Sequence, residues 1–158
     1  MEELEGKLID IDAEVFMNKL NTLKIGTFEV LQKDKIFVYG ASIFRIRDQD
    51  GRYFFTYKGP VKRLGGLKSR EEIELEISDP WKMQKILLIL GINVSSPLIK
   101  EKRVKKFEIN KAKCDLVFRA GIKPYLEIEG NLKDIKDACN ILMIDFNSLV
   151  PFHPKDKI

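Results

Sequence analysis

The sequence is poor in the side chains that most often form disulfides, zinc sites and imidazole-based active sites. Its 158 residues include two cysteines, Cys114 and Cys139, and one histidine, His153. The cysteines lie far apart, without a C-x-x-C pair or a Cys/His partner, so we expect buried or unreactive thiols. A lone histidine in a proline-flanked segment gives little support for imidazole catalysis or a histidine-rich metal site.

Long apolar runs are also missing. The longest, residues 86–90, is far too short to span a bilayer, and no basic-then-apolar leader precedes Glu3. The 28 Lys and Arg residues and 24 Asp and Glu residues are mixed along the chain. Mixed charge argues against a nucleic-acid-binding arm or a polybasic membrane patch and leaves room for an anionic small ligand. We therefore expect a cytoplasmic protein with neither nucleic-acid nor membrane partners.

The chain does have enough hydrophobic residues for a core beside a heavily charged surface or cavity. Its composition is 44% hydrophobic and 33% charged, and its length fits one domain. We assign residues 1–149 to this domain and residues 150–158 to a proline-rich tail. Exposed sheet edges or helices would be compatible with a homodimer.

Charged and apolar residues alternate in three separate segments, near positions 3–8, 70–77 and 126–129. Because side chains of a strand alternate between its faces, each segment predicts a strand with one charged and one apolar face. The charged positions are Glu3, Glu5, Lys7, Arg70, Glu72, Glu74, Glu76, Glu127 and Glu129.

A helix is predicted after each of these strands. The first is capped by Asp10 or Asp12, the second by Asp79 and the third by Asn131. Their apolar stripes are Phe16, Leu20 and Leu23; Met83, Ile86, Leu87 and Leu90; and Ile135, Ala138, Cys139 and Leu142. A strand-then-helix unit written three times indicates internal repetition within one domain.

Further strands are predicted between these units. Asp50-Gly51 indicates a hairpin between strands at 42–47 and 53–58, because glycine accepts the positive φ of such a turn. Residues 28–38 suggest short strands broken near 32–35, and the segment that follows Pro60, through Lys68, is typical of a basic, mobile loop. Two more strands are expected near 99–109 and 113–118.

The charged strand faces have two interpretations. On one, they face solvent, as in most half-buried sheets, and spacing alone favours this. On the other, the sheet curls into a barrel and the charged faces line its interior. Crowded carboxylates would then need a divalent cation, for which all-oxygen sites favour Mg²⁺ or Mn²⁺, and the Arg and Lys side chains would suit phosphate oxygens.

A resemblance decides between them. Five motifs occur in the order typical of one family: Glu3-x-Glu5-x-Lys7, Arg45-x-Arg47, Thr56-Tyr57-Lys58-Gly59-Pro60, Arg70-x-Glu72-x-Glu74 and Glu127-x-Glu129. Over residues 1–149 the chain resembles the CYTH superfamily of triphosphate tunnel metalloenzymes, which includes class IV adenylate cyclases and thiamine triphosphatases.

The resemblance implies an α+β fold, an eight-stranded antiparallel β-barrel (a tunnel) with helices packed outside. It implies Mg²⁺ or Mn²⁺ as cofactor and a small triphosphate as partner: ATP, thiamine triphosphate or tripolyphosphate. The implied metal ligands are Glu3, Glu5, Glu127 and Glu129, with Glu74 and Asp115 as additions. The implied phosphate-binding residues are Lys7, Arg45, Arg47, Lys58 and Arg70, together with Lys102 or Arg103. Two registers remain open there, Lys102 with Lys106 or Arg103 with Lys105, and no catalytic residue is assigned.

Departures from the family pattern bear on activity. Gln32 and Asp34 remain from a Gln-x-Asp-x-Tyr-Phe-Asp motif, but Ile36 and Val38 replace its aromatic residue and its final acid. Leu116 stands where many members carry a second acid. The chain most resembles the class IV cyclases, which convert ATP to cyclic AMP and pyrophosphate. The alternatives are a tripolyphosphate or thiamine triphosphate hydrolase and a non-catalytic nucleotide- or polyphosphate-binding domain.

Overall fold

The computed structural model describes residues 2–92 and 97–156. In chain order the described elements are β1 (Glu2–Leu8), α1 (Ala13–Thr22), β2 (Phe28–Tyr39), β3 (Ser42–Gln49), β4 (Arg52–Lys58), β5 (Lys62–Leu64), β6 (Leu67–Ile77), α2 (Pro80–Ile89), β7 (Leu98–Ile109), β8 (Ala112–Phe118), β9 (Tyr125–Gly130), α3 (Leu132–Leu142) and a 3₁₀ turn (Phe146–Ser148).

The strands form an antiparallel sheet that closes on itself. Their order is β1-β9-β8-β7-β2-β3-β4-β6, and β6 pairs back to β1, where Glu3 lies opposite Arg70. Among the described strands, β5 pairs with β6 and stands outside this closed set. The predicted eight-stranded antiparallel barrel is therefore confirmed. Closure leaves the barrel strands without a free edge.

The hairpin predicted at Asp50-Gly51 joins β3 to β4. Both residues have positive φ, 52° and 85°, as a tight hairpin turn requires. Arg45 consequently lies opposite Thr56, and Arg47 opposite Phe54. Arg45 and Arg47 are two residues apart on β3, so their side chains lie on the same face of the sheet.

The strand that follows α1 is longer than predicted. We expected a break near residues 32–35, but β2 runs without interruption and pairs with β3 on one side and β7 on the other. The polar residues that suggested a break alternate between faces, with Gln32 and Asp34 buried and Lys33 exposed. Pairing on both sides satisfies the backbone, so polarity inside the barrel does not end the strand.

The expected basic loop before β6 is also partly wrong. Residues 62–64 form β5, and β6 begins at Leu67, so Lys68 belongs to a strand. Lys68 lies opposite Glu5 of β1 and is buried. A lysine that the sequence placed in a mobile loop is therefore held inside the barrel.

All three predicted helices form, and each begins at a predicted cap. The side chains of Asp12, Asp79 and Asn131 accept hydrogen bonds from backbone N–H groups three residues later, at 3.1, 3.0 and 2.8 Å. These caps satisfy N–H groups that the helix itself leaves unpaired. Of the two candidates for α1, Asp12 is the cap.

The main core lies between the barrel and helices α1 and α3. The stripe predicted for α3 is buried in full, and both cysteines are buried and unpaired in this core. Helix α2 differs: Leu87 is buried against Phe37, Ile46 and Phe55 of the barrel, but Ile86 and Leu90 of the predicted stripe are exposed. None of the described helices is long and apolar enough to cross a membrane.

Candidate functional site

The barrel encloses a cavity of about 1120 Å³, here called the tunnel. Its lining consists largely of the charged strand faces, so these faces point inward and not to solvent. Twelve of the thirteen residues proposed as metal or phosphate ligands line it: Glu3, Glu5, Lys7, Arg45, Arg47, Lys58, Arg70, Glu74, Lys102, Asp115, Glu127 and Glu129.

Arg103 is the exception. It lies on the outer face of β7, where it donates a hydrogen bond to Glu29 at 2.6 Å and sits 4.0 Å from the centroid of the Phe118 ring. Strand alternation explains the correction, because inward positions on β7 are the even-numbered ones, including Lys102 and Lys106. Of the two registers left open, Lys102 with Lys106 is the one the barrel adopts.

Strands β1 and β9 form what we call the acidic wall, defined by Glu3, Glu5, Lys7, Glu127 and Glu129. Glu5 lies opposite Glu129, and Lys7 lies opposite Glu127. The Lys7 ammonium is buried, bonded to Glu5 and 3.3 Å from Glu127. Burial lowers the pKa of Lys7, but Glu127 and Glu5 outweigh it, so the net shift is upward. This lysine therefore stays charged inside the wall.

The acidic wall still carries more negative charge than its lysine neutralises. Burial and the adjacent Glu3 raise the pKa of Glu129 to about 8, and Glu5 and Glu72 add to the shift. A carboxyl group with this pKa holds a proton at neutral pH, because like charges at short range cannot all ionise. A divalent cation would replace that proton and neutralise the carboxylates more completely.

The donor set fits an oxygen-preferring divalent cation, but the described residues contain no group of three or more metal-ligating side chains already arranged around one point. Lysines hold part of the wall instead. Lys7 contacts Glu5 and Glu127, and the Lys68 ammonium lies 3.2 Å from Glu5. A bound cation would compete with these lysines, and Glu3 and Glu129 are the carboxylates best placed to receive it first.

The opposite side of the barrel carries what we call the basic wall, defined by Asp34 of β2, Arg45 and Arg47 of β3 and Lys102 of β7. Arg47 donates two hydrogen bonds to Asp34, at 2.7 and 2.8 Å, and the Lys102 ammonium lies 3.5 Å from the same carboxylate. Burial opposes ionisation of Asp34, but Arg47 and Lys102 hold its pKa well below the usual range. One carboxylate thus faces three cations.

Burial and the neighbouring positive charge lower the pKa values of the other two cations of this wall, Lys102 and Arg45. Burial, with a contribution from Arg47, lowers the pKa of Lys102 to about 8. The pKa of Arg45 is lowered by the same two causes. An anion bound between these side chains would relieve the repulsion and raise both pKa values.

Two guanidinium groups have unsatisfied donors. Among the described residues, the buried Nε–H groups of Arg45 and Arg70 have no hydrogen-bond acceptor. Arg45 uses Nη2 to contact Thr56 at 3.2 Å and Glu74 at 3.1 Å, which leaves Nε free. An unpaired buried donor costs about 1–3 kcal/mol, and phosphate oxygens are well suited to accept from guanidinium N–H groups.

Two proposed metal ligands are engaged elsewhere. Asp115 accepts hydrogen bonds from Lys106 at 2.9 and 3.1 Å, and Glu74 accepts from Arg45 and from Thr56 at 2.8 Å. Both line the tunnel but are already ion-paired. Glu76 does not line it; it pairs with Arg52 at the surface.

The sequence analysis gave no ligand role to several tunnel cations or to two tunnel acids, Asp34 and Asp156. Lys100 shares the face of Lys102 and Lys106, and the i, i+2 spacing on β7 could have identified it. Lys68 was not recognised as a tunnel residue because its segment was predicted to be a loop. Asp34 was noted as part of a motif but was not given a role, because the broken-strand interpretation of residues 28–38 left its direction undefined.

The segment of residues 150–156 crosses one end of the tunnel. Val150 exchanges two backbone hydrogen bonds with Lys7, at 2.8 and 2.9 Å. His153 is buried against Tyr125, with ring centroids 5.0 Å apart. Asp156 accepts hydrogen bonds from Lys100 and Arg119, both at 2.9 Å. The segment therefore contributes to the tunnel wall, and its histidine packs in an aromatic pair.

Comparison with known proteins is consistent with this architecture. A family model described as the CYTH domain matches residues 1–149. Over 99 residues the chain is 39% identical to a Methanocaldococcus jannaschii protein named "Putative adenylate cyclase MJ0240". The match covers 62% of this chain and 54% of the relative, so the chain spans about half the length of that protein.

Solved structures share the barrel. PH1012 protein from Pyrococcus horikoshii OT3 superposes with a TM-score of 0.78 at 22% identity, over 96% of each chain. A Hippeastrum protein, described as "Putative adenylyl cyclase HpAC1" with a dominant triphosphatase activity, superposes with a TM-score of 0.66 at 16% identity, over 99% of this chain and 93% of that one. At these identities the likeness establishes the fold.

Proposed function

The chain belongs to the CYTH domain family, and we propose that it is a metal-dependent enzyme that acts on a triphosphate inside its tunnel. The observation that carries the proposal is the pair of opposed walls, one with excess carboxylate and one with excess guanidinium and ammonium. A divalent cation and a polyphosphate chain together would neutralise both.

Each wall has a defined task in this proposal. Glu3 and Glu129, supported by Glu5 and Glu127, would hold Mg²⁺ or Mn²⁺, which supplies charge stabilisation and orientation of phosphate oxygens. Arg45, Arg47 and Lys102 of the basic wall would bind the phosphate chain. The other tunnel cations would join them: Lys58, Arg70 beside β1, and Lys7 of the acidic wall.

The tunnel arginines would position the phosphate groups of the substrate. Arg47 is fixed by its two hydrogen bonds to Asp34, so its charge is held in place before substrate arrives. The Nε–H groups of Arg45 and Arg70 have no hydrogen-bond acceptor among the described residues, and phosphate oxygens would accept hydrogen bonds from them. Donors that are oriented in advance stabilise developing charge without a reorganisation cost.

We place an adenylate cyclase-like reaction first. Attack of the ribose 3′-hydroxyl on the α-phosphorus of ATP breaks the bond to the β-phosphate and gives cyclic AMP and pyrophosphate. The support is family membership together with the M. jannaschii relative that carries a cyclase name.

A triphosphate hydrolase is the second candidate. Attack of water on the terminal phosphorus gives orthophosphate and a shortened chain. The observation in its favour is the Hippeastrum structure, because that protein carries a cyclase name yet is described by a dominant triphosphatase activity. A non-catalytic nucleotide- or polyphosphate-binding domain is the third, motivated by Ile36, Val38 and Leu116.

Product analysis separates these candidates. The purified protein is incubated with ATP, thiamine triphosphate or tripolyphosphate, each with Mg²⁺ or Mn²⁺, and the products are resolved by chromatography and phosphorus NMR. Cyclic AMP with pyrophosphate supports the cyclase, and orthophosphate supports the hydrolase. Binding without turnover of any of the three would overturn the enzyme proposal, and absence of binding would overturn the site itself.

A further inference from the structure

The tunnel lining is not charged throughout, and the apolar residues at one end adjoin the phosphate-binding cations. At the end where β2 finishes and β3 begins, the lining includes Ile36, Val38, Ile43 and Val61, which we call the apolar lip. Val38 lies directly opposite Ile43 in the β2–β3 register, and Ile36 precedes Val38 on the same strand face. Ile36 and Ile43 are buried, whereas Val38 is 53% exposed. Val38 therefore exposes apolar surface at this end of the tunnel, beside the largely buried Ile36 and Ile43.

The apolar lip adjoins the phosphate-binding cations. Along β3 the inward side chains are Ile43, Arg45 and Arg47 in order, so the lining changes from apolar to cationic within one step. Arg45 lies opposite Ile36, and Lys58 lies opposite Ile43. A ligand whose phosphates contact Arg45 and Lys58 would place its next group against the lip.

We propose that the apolar lip binds the uncharged aromatic base of a nucleoside triphosphate, an inference that rests on the function proposed above. Tripolyphosphate is charged along its whole length and gains nothing from an apolar surface. The thiazolium ring of thiamine triphosphate is a cation and would lie beside Arg45 and Lys58. A neutral aromatic base can bury its faces on the lip. It gains from the loss of apolar surface to water and is not repelled by Arg45 and Lys58.

The sequence carries the same distinction at Val38. An acid in this position would face the tunnel beside Ile43 and could pair with a cationic ring. Valine removes that option and leaves a surface that favours a neutral ring. Valine in place of the acid of the family motif therefore favours nucleoside triphosphates over triphosphates with a cationic ring.

The test compares ligand affinities in the presence of Mg²⁺ by isothermal titration calorimetry, with products checked so that turnover is not taken for binding. We expect ATP to bind more tightly than tripolyphosphate or thiamine triphosphate. A Val38→Thr/Ile43→Thr variant keeps β-branching at both positions, with an isosteric change at Val38, and should weaken ATP binding about tenfold. It should change tripolyphosphate binding by less than about twofold.

Ile73→Thr is the matched control, because Ile73 is a β-branched strand residue with 51% exposure that does not line the tunnel. It should leave all three affinities unchanged. If the double variant loses tripolyphosphate binding, the single Val38→Thr variant replaces it, since half-exposed Val38 is not needed for the core. Val38→Asp should raise the affinity for thiamine triphosphate relative to ATP.

The outcomes distinguish the two proposals. If none of the three triphosphates binds the unmodified protein, the proposed function fails. If tripolyphosphate binds but ATP binds no more tightly, or if Val38→Thr weakens both ligands equally, the proposed role of the lip is overturned.

Discussion

The two walls of the tunnel have similar burial and opposite charge. The acidic wall sets four carboxylates against Lys7, and the basic wall sets three cations against Asp34. On the acidic wall the pKa of Glu129 rises to about 8, because burial and Glu3 penalise its ionised form. On the basic wall the pKa of Lys102 falls to about 8, because burial and Arg47 penalise its charge.

Each wall therefore carries charge of one sign that its own residues do not balance. Buried like charges cost free energy, and a bound ion of opposite charge would lower that cost on either wall. Counter-charges partly stabilise each wall: Asp34 on the basic wall, and Lys7 and Lys68 on the acidic wall. The remaining charge on the acidic wall matches a cation, and that on the basic wall matches a phosphate chain.

The largest effect is expected on the acidic wall. The variant Glu3→Gln/Glu5→Gln keeps side-chain shape and removes two charges, so metal-dependent turnover should fall at least ~100-fold. Turnover is measured with saturating Mg²⁺ or Mn²⁺. The control is Glu29→Gln/Glu101→Gln, which removes two acids that do not line the tunnel. Full metal-dependent activity in the Glu3/Glu5 variant would refute the assigned metal role.

On the basic wall, Arg45→Lys should weaken tripolyphosphate binding roughly tenfold. The charge is retained, but the guanidinium fork and its unsatisfied Nε–H are lost. Calorimetric titration measures the change, and Arg103→Lys on the outer face is the control because Arg103 contacts Glu29 and not the tunnel. Equal loss in both variants would mean that charge outside the tunnel, and not the buried fork, governs binding.

The raised pKa of Glu129 predicts a pH dependence. Below about pH 8 a metal ion must displace a proton from Glu129, so metal affinity should rise with pH toward 8, by at most about tenfold per unit. Glu129→Gln should flatten this slope. Metal titrations at several pH values measure it, and an unchanged slope in Glu129→Gln would assign the proton to another group.

The raised pKa of Glu129 also determines how the stability of the metal-free protein changes with pH. Between the ordinary glutamate pKa of 4.5 and about 8, the folded metal-free protein holds a proton that the unfolded chain has released. Its stability from this group is therefore greatest at low pH and is lost as pH rises through about 8. Thermal unfolding with and without Mg²⁺ should show the loss in metal-free protein and its reduction when metal binds.

The smallest effect is expected where the segment of residues 150–156 crosses the end of the tunnel. Burial opposes ionisation of Asp156, but hydrogen bonds from Lys100 and Arg119 lower its pKa to about 2. Asp156→Asn should lower the melting temperature by roughly 2–4 °C at neutral pH. In the unmodified protein this contribution is present above the ordinary aspartate pKa of 3.8 and is lost as pH falls through about 2. A melting temperature unaffected by the substitution would show that Asp156 does not anchor the segment.

Much of the fold follows from local sequence signals. Asp12, Asp79 and Asn131 mark helix starts because a side-chain oxygen must satisfy the first free N–H groups. Asp50-Gly51 marks its hairpin because the turn needs positive φ. These signals are local in the chain, so they can be recognised without knowledge of the packing around them.

Other features depend on contacts distant in sequence. Residues 32–35 suggested a break because four polar residues rarely continue a strand with one apolar face, yet inside a charged barrel Asp34 is satisfied by Arg47 and Lys102. Helix α2 was predicted to bury Ile86 and Leu90, but the barrel surface beneath it reaches Leu87. Strand register at Lys102 and Arg103 likewise required the partner strands.

The candidate site was recognised by ordered motifs and not by composition. Spacing alone favoured solvated strand faces, and only barrel closure, through the β1–β6 pairing, turns those faces inward. The ion pairing of each carboxylate also required the structure: Asp115 accepts hydrogen bonds from Lys106, whereas burial and the adjacent Glu3 raise the pKa of Glu129 to about 8.

A crystal structure with Mn²⁺ and tripolyphosphate tests the opposed-wall arrangement most directly. Anomalous scattering locates the metal independently of the phosphates. We predict Mn²⁺ bound by oxygens of the acidic wall, with Glu3 and Glu129 among its ligands, and a phosphate oxygen within hydrogen-bonding distance of Arg45 Nε. Mn²⁺ bound at Asp34 or Asp115, or a phosphate chain bound outside the tunnel, would contradict it.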